Sequence, residues 1–281
     1  MPNPVKSSQP IHVGVGGWTY APWRGPFYDK GVKHADELAF MSRRLGVVEV
    51  NGTFYRSQTP ATFRKWHDET PDHFLFALKA PRFTTNRKNL AEAGDSIDRF
   101  VASGIAELGD KLGPINWQLA PTKRFQPEEF ESFLSLLPDK AGGIGLKHAV
   151  EARHESFLDD AVAQIARRHG VAIVLAADSD YPRIDVATAP FAYLRIMGTT
   201  ESEADGYAPS AMDGWASAAR DMAAGHKNAS IASAASGPRE VFLFVISGFK
   251  ERNPQAALGI AGRLDSSSRP GRHPKKGTER P

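Results

Sequence analysis

The chain contains no cysteine among its 281 residues, which excludes disulfide staples, thiolate nucleophiles and thiolate metal sites. It has no apolar run approaching the ~18 residues that a membrane helix requires, so no membrane contact is expected. Residues 1–10 are polar and lack the apolar stretch of a secretory signal, so a flexible N-terminus and a cytoplasmic protein are expected. Gly14, Gly16 and Gly17 lack the spacing of a dinucleotide fingerprint, so no dinucleotide cofactor is expected. No His-x-x-x-His pair or comparable spacing builds a tight metal centre.

Charge is nearly balanced. The net value is +3, and residues 265–281 account for it, with Arg269, Arg272, Lys275, Lys276 and Arg280 against Asp265 and Glu279, five minus two. The remaining body is formally neutral, which argues against a broad nucleic-acid surface. The Ser-, Pro- and Gly-rich tail is expected to be disordered and solubilising.

What is present is a repeated alternation. Eight short apolar runs, at 12–16, 47–51, 74–79, 115–119, 147–153, 171–177, 191–197 and 241–246, are separated mostly by amphipathic stretches. Several runs are apolar on both faces, as parallel strands covered by helices must be. Helices are expected around Leu38–Leu45, over Ile97–Leu112, from Pro127, over Leu158–Ala166 with Gly170 closing, and from Asn253-Pro254. Between Asp178 and Phe191 a short or irregular crossover is expected, and residues 215–237 begin as a helix and end in a loop. The length and the alternation predict one TIM (β/α)8 barrel over residues 11–264, with one or two irregular crossovers.

A barrel of this kind carries its site at the C-terminal strand ends. Those ends hold Glu49, Asn51, Lys79, Gln118, Glu151, Arg153, His154, Asp178 and Arg195. The densest stretch is Val150–Phe157, in which alternation puts Glu151 and Arg153 on one face and Ser156 is expected to cap the following helix. Three acids (Glu49, Glu151, Asp178) face three bases (Lys79, Arg153, Arg195), a balance compatible with simple ion pairing. Taken together they are expected to form a site for a small anionic or phosphate-bearing substrate. Glu49 or Glu151 would serve as general base and His154 as general acid, a hydrolase-like arrangement. Asn51, Lys79, Gln118, Arg153, Asp178 and Arg195 would bind the substrate, and Trp18, Tyr20 and Tyr55 would stack on it. Trp23, Phe27 and Phe54 are expected to cap the core. A weakly held divalent ion on Glu49, Glu151, His154 and Asp178 is the cofactor alternative. A non-catalytic module binding nucleic acid or a nucleotide with the same cations is the functional alternative.

The motifs also resemble a known family. Gly17-Trp18-x-Tyr20-x-x-Trp23-x-Gly25-x-Phe27-Tyr28, Val48-Glu49-x-Asn51-x-Thr53-Phe54-Tyr55, Phe74-x-Phe76-Ala77-x-Lys79-Ala80, Leu108-Gly109-x-Lys111-Leu112-Gly113-Pro114, Gln118-Leu119 and Glu151-x-Arg153-His154-x-Ser156-Phe157 occur in order. Together they resemble the YecE-like family of unknown function. The resemblance implies a TIM barrel and no settled activity. The chain departs from it at Met197, where the family commonly has His, and at Ser247-Gly248, where it commonly has paired asparagines.

Overall fold

A computed structural model describes residues 8–228 and 237–266. The expected flexible N-terminus, the loop near 229–238 and the basic tail therefore lie largely outside the described residues.

Eight strands form in the predicted places. They are β1 (Ile11–Gly16), β2 (Val47–Val50), β3 (Leu75–Lys79), β4 (Leu112–Gln118), β5 (His148–Glu151), β6 in two pieces (Ala172–Ile173 and Leu175–Ala177), β7 (Phe191–Ile196) and β8 (Glu240–Val245). All neighbouring pairs are parallel, and β1 pairs with both β2 and β8. The circle closes through β6, whose first piece pairs with β5 and whose second pairs with β7. Around it lie α1 (Glu37–Ser42), α2 (Pro60–Asp68), α3 (Gly94–Val101), α4 (Pro127–Ser135), α5 (Asp160–Arg168), α6 (Pro209–Ala224) and α7 (Asn253–Ser266). Pro60, Pro127 and Pro209 open their helices, where the missing N–H costs nothing. Residues 178–190 form no helix, as expected.

Two local expectations are corrected. The apolar stripe over 97–112 is not one helix, because Gly104 turns the chain at φ 104° and a 3₁₀ segment, Ile105–Lys111, follows. Leu112 already belongs to β4. Ser156 is not the cap of the next turn either. The side chain of His154 accepts the Ser156 N–H at 3.1 Å, while the Ser156 hydroxyl accepts the Phe125 N–H at 2.8 Å.

The core is two bodies. The larger one fills the space between strands and helices and includes Trp23, Phe27, Trp117 and Phe133. A smaller one occupies the barrel interior, with Val47, Ala77, Ala149, Phe191, Tyr193, Phe242 and Phe244. The interior is layered along the barrel axis. His12, Lys147 and Glu240 interact at the N-terminal end, with His12 Nε2 3.1 Å from Glu240 and its ring stacked on Phe242. Above the apolar layer the inward positions become polar. Strand alternation sets this, since Glu49 follows Val47, Lys79 follows Ala77, Glu151 follows Ala149 and Arg195 follows Tyr193, each two residues on. Gly14 permits close approach of β1 to β2, as a Cβ there would lie 1.8 Å from the Val47 carbonyl oxygen.

Candidate functional site at the barrel mouth

The polar layer is built on Arg195, which is 3% exposed and sits between two fully buried carboxylates. Its Nη1 donates to Glu151 Oε2 at 2.5 Å and its Nη2 to Glu49 Oε1 at 3.1 Å. The Tyr193 hydroxyl donates to Glu49 Oε2 at 2.6 Å, and the Asn116 amide reaches Glu151 Oε2 at 3.2 Å. Arg153 covers this layer. Its Nε donates to Glu151 Oε1 at 2.7 Å, its Nη2 to the Gln118 side chain at 2.8 Å and its Nη1 to the Tyr181 hydroxyl at 3.1 Å. Burial alone would raise the Glu151 carboxyl, yet Arg195, Arg153 and Lys79 hold it down at about 2. The same carboxylates raise Arg195 against the opposing effect of burial.

Lys79 is different. It is 6% exposed and, among the described residues, its Nζ has no hydrogen-bond or ion-pair partner. It rests 4.2 Å over the Phe54 ring. Burial lowers its ammonium to about 8, against the pull of Glu49 and with the repulsion of Arg195. The Thr53 hydroxyl donates to the Lys79 carbonyl at 2.7 Å and fixes the backbone at the strand end.

A cavity of about 370 Å³ opens above, with Lys79, Arg153, Arg195, Gln118, Asn51 and Lys250 on its wall. Gly16 leaves room for the Asn51 amide, which lies 3.0 Å from where a Cβ would be. Tyr55 stands at the rim, 69% exposed. Tyr20 does not line the cavity itself. Its ring lies 4.1 Å beneath Lys250 Nζ and its hydroxyl donates to Glu251 at 3.0 Å.

Three further expected members are placed elsewhere. Trp18 packs edge-on against Trp66, with centroids 5.1 Å apart, and is not on the cavity wall. His154 is a turn cap. Asp178 ties β6 to β7, accepting the Met197 N–H at 2.6 Å and the Tyr207 hydroxyl at 2.6 Å. Desolvation raises its carboxyl. Gly198 is needed there because a Cβ would meet Asp178 at 2.7 Å. Asp178, Met197 and Ser247 face a neighbouring hollow of about 380 Å³. The four groups expected to share a divalent ion therefore do not converge, and among the described residues no three His, Asp or Glu side chains form a metal-holding cluster. The expected charge balance fails for the same reason. With Asp178 withdrawn, three cations (Lys79, Arg153, Arg195) meet two carboxylates (Glu49, Glu151), an excess of +1 before Lys250 is counted.

Asn116, Tyr193, Tyr181 and Lys250 are members that the sequence reading missed. Asn116 and Tyr193 carried a signal, since each lies two residues before an expected member on the same strand. Tyr181 and Lys250 lie on loops, where no periodicity points to them.

A family model described as "Protein of unknown function DUF72" matches residues 12–278. The UPF0759 protein YecE of Escherichia coli K12 is 27% identical over 147 residues, 52% of this chain and 50% of that protein. The chain thus matches about half the length of that curated relative. A crystal structure of a DUF72 family protein from Thermotoga maritima superposes with a TM-score of 0.71 at 20% identity, covering 92% of this chain and 100% of that one. A second, from Enterococcus faecalis, gives 0.68 at 15% identity, covering 95% and 100%. At these identities the structural likeness speaks for the fold.

Proposed function

The chain belongs to the DUF72 family of proteins of unknown function, and on that premise we propose that it is an enzyme whose cavity at the C-terminal barrel face takes a small anionic or phosphate-bearing substrate. The observation that carries this reading is the buried ammonium of Lys79, left without a carboxylate in a cavity where cations outnumber acids. Desolvated charge without a counter-ion is costly, and an anionic ligand would supply the counter-ion. The cavity volume suits a molecule of sugar-phosphate size.

The roles within the site follow from their partners. Glu49 and Glu151 hold Arg195 and Arg153 in place. Lys79, Lys250 and the unused N–H groups of Arg153 face the ligand, with the Asn51 and Gln118 amides orienting it and Tyr55 available for stacking. The hydrolytic assignment gains nothing from this geometry, since both carboxylates are neutralised by guanidinium groups and His154 is committed to its turn. Of the named groups, Lys79 is the one left available for chemistry.

Thermal unfolding with inorganic phosphate and a set of sugar phosphates tests the reading. A ligand at about 100 times its Kd adds roughly 2.7 kcal/mol. The expected result is a rise in Tm that falls by about half or more in Lys79→Met. The nucleic-acid alternative predicts stabilisation by oligonucleotides instead, falling steeply with salt. No rise with any small anion would remove the proposal.

A further inference from the structure

Lys79 is well placed for more than holding charge. Its carbonyl is pinned by Thr53 at the end of β3, so the side chain enters the cavity from a rigid element. No described carboxylate, hydroxyl or carbonyl occupies its Nζ, whose packing partner is the face of Phe54. Charged groups face it from three strands, with Glu49 on β2, Glu151 on β5, Arg153 just past the end of β5, and Arg195 on β7. The carboxylates among them are already claimed by the two guanidinium groups. The amine is thus beside like charges, largely desolvated, and at the wall of a cavity of about 370 Å³. These are the conditions under which a lysine becomes a nucleophile towards carbonyl carbon.

Resting on the anionic-substrate reading above, we infer that Lys79 forms an imine with a small aldehyde or ketone that carries a carboxylate or phosphate. The neutral Nζ donates its lone pair to the carbonyl carbon, forming the C–N bond while the C=O π pair moves to oxygen. One N–H proton passes to that oxygen, giving a carbinolamine. Protonation of its hydroxyl and loss of water break the C–O bond and leave C=N, with nothing oxidised or reduced. Arg153 and Lys250, on the same cavity wall, receive the anionic group. With an ammonium value of about 8, Lys79 supplies far more free amine near neutrality than a surface lysine does. An iminium draws on the electron pair of an adjacent C–H or C–C bond, so the reaction class it points to is isomerisation or carbon–carbon lysis.

Reductive trapping tests this on the full chain. The protein is incubated with dihydroxyacetone phosphate or pyruvate and cyanoborohydride, then mapped by peptide mass spectrometry. The expected result is modification of Lys79 at least about tenfold above any other lysine, in keeping with its larger free-amine fraction. Lys79→Arg, checked for folding by its melting curve, is expected to lose that adduct. Labelling by pyruvate alone would support the imine and select the carboxylate class. Labelling by the phosphate ester alone would support it and select the phosphate class. Absence of a Lys79 adduct with both probes, or labelling spread evenly over surface lysines, overturns the imine. If phosphate still stabilises the unmodified protein, only the imine fails, and if it does not, the anionic-substrate reading fails with it.

Discussion

At the scale of single residues the site is a set of unequal charges. Lys79 lies in the fold at a cost, because its ammonium is lowered to about 8 from the ordinary lysine value. The unfolded chain binds that proton more tightly, so the Lys79 contribution to stability rises as pH climbs from about 8 towards the ordinary value of 10.5. Lys79→Met is therefore expected to stabilise the free protein by on the order of 3 kcal/mol, a Tm rise of roughly 5–10 °C, while cutting stabilisation by phosphate by about half or more. A melting curve with and without phosphate reads both effects. Glu151 has the opposite sign. Its carboxyl is depressed from 4.5 to about 2, so its stabilisation is complete above about 4.5 and is lost as pH falls through about 2. Removing its partner is more severe. Arg195→Leu leaves Glu49 buried without its guanidinium partner and Glu151 with Arg153 alone, and urea unfolding is expected to show a loss of about 3–5 kcal/mol. A loss below about 1 kcal/mol, the range of surface pairs, would contradict the account of the polar layer.

At the scale of elements the strands were legible and their ends less so. Parallel strands covered on the outside and filled on the inside give short, doubly apolar runs, and all eight were visible for that reason. Alternation also carried the inward parity of Glu49, Lys79, Glu151 and Arg195, because a strand repeats every two residues whatever surrounds it. Helix length was less legible. The stripe from Ile97 to Leu112 keeps helical spacing across Gly104, and only the positive φ at that glycine reveals the break. Turn chemistry misled at His154. Ser156 is the common capping type, but its hydroxyl is engaged by Phe125, and the imidazole takes the role. His154→Ala is accordingly expected to cost about 1 kcal/mol, the worth of a cap, and to leave phosphate binding unchanged. Calorimetric titration of that variant checks it, and a loss of ligand affinity would restore His154 to the site. Asp178 was misplaced because its partners, the Met197 N–H and Tyr207, come from the chain that follows β7, and no local pattern encodes them.

At the scale of the molecule, a closed barrel gathers strand ends from residues 49 to 195 into one polar layer and leaves its charge unbalanced at the mouth. Residues 265–281 carry a further formal excess of +3 in the sequence. Deleting residues 267–281 is expected to leave stabilisation by phosphate unchanged while weakening any association with polyanions, which melting and filter-binding assays at two salt concentrations would separate. The most direct measurement of the central claim is calorimetric titration of the free protein and of Lys79→Met with inorganic phosphate. The account predicts a single saturable site in the former and at least about a tenfold weaker one in the latter, equivalent to 1.4 kcal/mol or more. Equal affinity in the two proteins, or no saturable binding in either, would contradict it.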